Sequence, residues 1–126
     1  SELARDPAQH CRRFLALLAV FAQPDGVTIG VGYEPALDVH AAHVRCVVVE
    51  LCWRRGRKGL EARPKALTVG DVGEVWLEPA EPVCLEVFSA CPPMGRFALR
   101  DQGITLAAGV VKEVHLARDP VECFDD

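Results

Sequence analysis

The chain has 126 residues, 50% of them apolar, and a formal net charge of −4. That length fits one domain able to bury a core without disulfide staples, and the apolar content excludes a disordered chain. The mildly acidic balance gives no general attraction to nucleic acid, so any such contact has to come from a local basic patch.

Residues 1–11 are polar and contain Asp6-Pro7, which disfavours helix; they read as a linker. Arg12-Arg13 ahead of the apolar run Phe14–Ala22 imitates a secretion signal, but the run is too short to span a bilayer and reads as a strand over Arg12–Phe21. Its apolar content on both faces implies that one face is interior and the other is covered. Gln23-Pro24-Asp25-Gly26 is a turn, and Gly30 and Gly32 make Val27–Tyr33 an irregular crossing. A short strand over Pro35–His40 and a long one over Val44–Trp53 follow, the latter set by Val47-Val48-Val49. Trp53–Arg63 carries Gly56, Gly59 and five cations, and is expected to be a mobile arm whose basic patch Arg54–Lys58 is a solvated hairpin tip.

Val72–Leu77 alternates as a strand without declaring its inward face. Glu78–Pro82 is a turn, Val83–Phe88 the next expected strand, and Cys91–Met94 a turn into a final hairpin. There Phe97 and Leu99 alternate with Arg96, Ala98 and Arg100, which predicts the aromatic and the leucine inside. Asp101-Gln102-Gly103 is the tight connection, with Gly free to take positive φ, and Ile104–Val114 the returning strand. Residues 12–115 thus form the folded unit and 116–126 an acidic, frayed tail. About six strands and no helix make the chain all-β, a sandwich or a barrel.

Few motifs carry chemistry. His40-x-x-His43-x-x-Cys46 has zinc-ligand types, but an extended strand sends such spacings to opposite faces and no second pair follows, so no metal site is assigned. Neither a phosphate-cradling GxxxxGK[ST] loop nor a G-x-S-x-G elbow is present, so nothing points to an enzyme in this sequence. The six cysteines occur singly, and Cys46, Cys52, Cys84 and Cys91 lie in or beside apolar runs; they read as reduced thiols.

The segments Gly95–Asp101 (GRFALRD) and Thr105–Val111 (TLAAGVV) resemble the last hairpin of the C-terminal β-barrel, domain III, of the elongation factor 1-alpha-like translational GTPases. That family includes elongation factor 1-alpha, eukaryotic release factor three and the rescue GTPase that partners Pelota. Gly32–Cys46, Arg63–Asp71 and Glu81–Phe88 are similar to its segments in matching order, from about Phe14 to Val114. The resemblance implies a closed six-stranded antiparallel barrel, cytoplasmic and non-catalytic. The linker would come from a preceding domain, and GTP and Mg would belong to a G domain outside this sequence.

Implied partners are the protein's own G domain and second barrel, the ribosome, and either aminoacyl-tRNA or a release or rescue factor brought to the ribosomal A site; no membrane is implied. Arg96 and Arg100 fall near the G domain and second barrel. Arg45, Asp101 and Gln102 fall where elongation factors meet the tRNA T-stem. Glu81 falls where they often carry Lys, and a carboxylate there repels phosphate, which favours a tRNA-shaped protein ligand. His40 and His43 look like the elongation-factor pair and favour tRNA. Two other classes make different predictions: a stand-alone ligand-binding barrel needs an apolar internal cavity, and a cysteine enzyme needs Cys and His within hydrogen-bond reach.

Overall fold

Alternating burial in β1 (Cys11–Val20) sets the architecture. Phe14, Ala16, Leu18 and Val20 are buried while Leu15, Leu17 and Ala19 stay half-exposed, so the run that imitates a signal is a strand with one interior face. The computed structural model describes residues 11–40 and 42–116. Six further strands follow: β2 (Ala36–Val39), β3 (Ala42–Gly56), β4 (Gly59–Ala62), β5 (Val72–Pro79), β6 (Arg96–Asp101) and β7 (Ile104–Leu116). A 3-10 turn at Pro92–Met94 leads into β6.

The strands pair antiparallel in the order β2-β6-β7-β1-β5-β3, and β2 pairs back onto β3, which closes a six-stranded barrel. Register shifts between β1 and β7 and between β3 and β5 give the sheet the local bends that closure requires. β4 stands outside the ring, hydrogen-bonded to β3 alone.

The interior is filled by side chains. Phe14, Leu18, Ile29, Leu37, Leu67, Leu77, Leu99 and Leu106 are all less than 2% exposed. Phe14 and Phe97 meet edge to face at 5.4 Å between ring centroids, a favourable aromatic geometry. Phe97 and Leu99 are buried, Arg96 is exposed and Arg100 half-exposed, as their alternation predicts. In β5 the inward residues are Gly73, Val75 and Leu77, which settles the face the sequence left open. Val27–Tyr33 is irregular as expected: Ile29 bridges Leu67 in the β4–β5 connection, and next to β3 the Gly32 N–H donates to the Val48 carbonyl at 2.8 Å and the Val48 N–H to the Tyr33 carbonyl at 2.9 Å.

Two expectations are corrected. Val83–Phe88 is not a strand. Val83 and Leu85 are buried and Cys84 and Glu86 exposed, so the burial alternates, but the backbone bonds go to scattered partners. Val83 C=O accepts from Cys11 N–H, Glu86 N–H donates to Met94 C=O and Phe88 N–H to Val111 C=O, so no ladder forms. Cys11 and Leu116, expected just outside the barrel, are partners at the ends of β1 and β7. The basic patch sits at a hairpin tip as read, the arm pairing from Trp53 opposite Ala62 through Gly56 opposite Gly59. The expected linker 1–10 and tail 117–126 lie outside the described residues.

Cys11, Cys46, Cys52, Cys84 and Cys91 are free thiols. Burial pushes Cys11 and Cys46 up to about 12 and raises Cys52 as well, so these thiols stay protonated and unreactive at neutral pH. A thiol reagent is expected to label exposed Cys84 first in the folded protein and to count six thiols after unfolding, Cys123 included. A count of four or fewer without added oxidant would contradict the reduced assignment.

Candidate partner-binding surface

The β2 strand brings most of the implied contact residues together, because it is flanked by β3 and β6. Ala36 lies opposite Arg45 on one side and Arg100 on the other. Neighbouring strands are spaced at about 4.8 Å, so the two arginines rise from the outer surface on either side of one small residue. Asp38, two residues along the same face, is the shared anion. His43 Nδ1 lies 2.9 Å from its Oδ1 and Arg100 Nε 3.8 Å from its Oδ2.

Both arginines are engaged within the barrel. Arg45 donates to the Glu34 carbonyl at 3.3 Å and lies 3.7 Å from the Glu34 carboxylate. Arg100 donates to Thr105 Oγ1 and to the Gly103 carbonyl, and so clasps the β6–β7 turn. In that turn both Gln102 (φ +54°) and Gly103 (φ +75°) are left-handed, the twist that suits a two-residue hairpin connection. Asp101 accepts a hydrogen bond from the Tyr33 hydroxyl. Burial and the Asp101 carboxylate hold the Tyr33 phenol well above its ordinary pKa, so it remains a neutral donor at physiological pH.

Glu81 lies at the margin of this surface. The neighbouring Ala80 N–H donates to the Arg45 carbonyl at 2.8 Å, which sets the chain before Glu81 against β3. His40 is exposed in the β2–β3 connection with φ +46°. Cys46 is buried while His43 is exposed beside Asp38, so the His40/His43/Cys46 set does not converge on a metal. Among the described residues no cluster of three or more His, Cys, Asp or Glu has metal-holding geometry. Tyr33, Glu34 and Asp38 were not read from the sequence. Tyr33 and Asp101 are 68 residues apart, and only closure of the ring makes them neighbours.

Arg96 faces a different surface. It lies 5.8 Å from the Phe88 ring centroid, in cation–π range. It also borders a shallow outer groove lined by Leu17, Ala19, Val72, Ala108 and Val110. This is the second apolar face that the first strand's composition implies.

Residues 13–112 match the family described as GTP-eEF1A C-terminal domain-like. The chain is 42% identical over 117 residues to elongation factor 1-alpha of Onchocerca volvulus, covering 90% of this chain and 25% of that protein. It is 45% identical over 112 residues to elongation factor 1-alpha of Saccharomyces cerevisiae, covering 86% and 24%. The crystal structure of sup35 complexed with GDP superposes with a TM-score of 0.76 at 29% identity, over 89% of this chain and 28% of that one. Its complex with GMPPNP gives 0.71 at 32% identity, over 82% and 25%. The chain therefore spans about a quarter of the length of the curated relatives it matches.

Proposed function

We propose, from the premise that this chain belongs to the GTP-eEF1A C-terminal domain-like family, that it is the C-terminal barrel of a GTP-dependent translation factor and acts as a rigid, non-catalytic docking module. One face would hold the parent's own G domain and second barrel. Another would meet the ligand that the parent carries to the ribosomal A site in the cytoplasm. GTP and Mg would be bound by the G domain, and switching would reach this barrel as a rigid-body movement.

The groove beside Arg96 suits the internal contact, since it offers apolar side chains on a folded unit whose core is already complete. The ligand contact is assigned to the surface around β2. The single observation that carries the choice of ligand is charge compensation. Arg45 is matched by Glu34 and Arg100 by Asp38, while Asp101 and Glu81 add further carboxylates. A phosphate backbone presents only negative charge and would have to displace these partners. A protein ligand presents both signs and can pair with each, which sets on-rate and specificity. We therefore favour a tRNA-shaped release or rescue factor. The second reading, delivery of aminoacyl-tRNA, is favoured by the 42–45% identity to elongation factor 1-alpha.

The test is the full-length protein with GTP, titrated against aminoacyl-tRNA and against a release or rescue factor at several salt concentrations. The protein ligand is expected to bind more tightly, and Arg45→Glu to weaken it. Tight aminoacyl-tRNA binding with a steep salt slope, strengthened by Glu81→Lys, would overturn that choice in favour of tRNA.

A further inference from the structure

The tip of the β3–β4 hairpin is the chain's one concentration of positive charge. Residues 54–65 hold six of the 14 Lys and Arg but only one of the 18 Asp and Glu. The remainder of an acidic chain is thus more acidic than its total, and the hairpin stands out from it in sign.

Within the hairpin the cations are divided by role. Arg54 turns to the barrel: it donates to Glu61 at 2.9 Å, to the Ala66 carbonyl at 3.2 Å and to the buried Asp71 at 3.3 Å. That anchor uses up the carboxylates nearest the tip. Arg55, Arg57 and Lys58 are exposed and form no ion pair among the described residues. Arg55 lies on β3 between Leu60 of β4 and Val72 of β5, and Arg57 and Lys58 form the two-residue turn that the Gly56–Gly59 pair closes, so little backbone ordering entropy remains to be lost on binding.

We infer that this tip binds the phosphate backbone of double-stranded RNA. Two arginines and a lysine within four residues supply planar, bidentate donors and a point charge, the groups that phosphate oxygens take. No aromatic side chain occurs in residues 54–60, so the tip has nothing on which single-stranded bases would stack. The acidic remainder limits the contact to a few phosphates, which makes it a positioning contact without base readout. The choice of RNA as the polyphosphate rests on the translational reading above; the phosphate contact rests on the hairpin.

The test uses the 126-residue chain, whose barrel closes on its own core, and a labelled RNA duplex of about 20 base pairs followed by fluorescence anisotropy. Neutralising about three phosphates should give a Kd on the order of 10 μM at about 50 mM salt, weakening about 40-fold by about 200 mM. Replacing Arg55, Arg57 and Lys58 together by Ala should weaken binding at least about 10-fold and flatten the salt slope, with circular dichroism unchanged. The control pair Arg12→Ala/Lys112→Ala, on exposed residues of β1 and β7, should retain binding. Absence of binding at low salt, a folded triple variant that binds as the parent does, or poly-glutamate competing as well as RNA would overturn the assignment. The assay contains no tRNA, release factor or nucleoside triphosphate, so its failure is separable from failure of the ligand choice.

Discussion

Phe97→Ala is expected to destabilise the barrel by about 3–5 kcal/mol in urea unfolding, the range for deleting a buried aromatic. Phe97 is 5% exposed and packs edge to face on Phe14. Its ring also fills the space that Gly109 leaves open on the paired strand: a Cβ at Gly109 would lie 2.6 Å from Phe97 Cζ and 2.7 Å from the Leu17 carbonyl. Truncation therefore opens a void over a residue with no side chain to fill it, and the backbone of β1 behind it cannot move in without breaking its own ladder. The neighbouring Arg96→Ala removes only an exposed side chain stacked on Phe88 and should lose less than about 1 kcal/mol. Equal losses would mean that the two faces of β6 are inverted.

Asp71→Ala is expected to lose about 2–3 kcal/mol, through unmade polar contacts rather than a void. Asp71 is the buried charged residue at the base of the hairpin, 5% exposed. Its Oδ2 accepts from Thr68 N–H at 2.8 Å, Thr68 Oγ1 at 3.3 Å and Arg54 Nη1 at 3.3 Å. Removing the carboxylate leaves the Thr68 donors without it and frees the Arg54 guanidinium. Because the Arg54 side chain is 31% exposed it can rehydrate, which keeps the loss below the 3–5 kcal/mol of a fully buried pair. Hydrogen exchange supplies the diagnostic: amides of Arg54–Ala62 should lose protection more than those of β1. A loss below about 1 kcal/mol with unchanged exchange would show that the hairpin stands without this anchor.

The sequence discloses what is local and periodic. The strands at β1, β3, β5, β6 and β7 follow from alternation and β-branched runs, and the inward side of β6 follows from Phe97 and Leu99 alone. Alternation reports burial, not pairing, and Val83–Phe88 shows the difference: a segment can turn Val83 and Leu85 inward while its backbone bonds to three different partners. The arm Trp53–Arg63 has the glycine and charge content of a mobile loop because its anchor is distant. Arg54 and Asp71 are 17 residues apart, and no local pattern announces their meeting. The same holds for the surface around β2. Arg45, Arg100, Asp101 and Gln102 could be named through family resemblance, but the compensating roles of Glu34 and Asp38 emerge only when β2 is seen between β3 and β6.

Closure of the ring also governs self-association. In an open sheet the outermost strands present unpaired N–H and C=O groups that recruit a second molecule. Here β2 meets β3, so the six ring strands each have two neighbours, and the appended β4 alone offers an outer edge among the named strands. That edge is four residues long, begins with a glycine, contains Glu61 and follows Arg57-Lys58. A short edge bracketed by charge is a poor template for cross-molecular strand pairing, so the appended hairpin leaves the sheet protected against polymerisation into fibres.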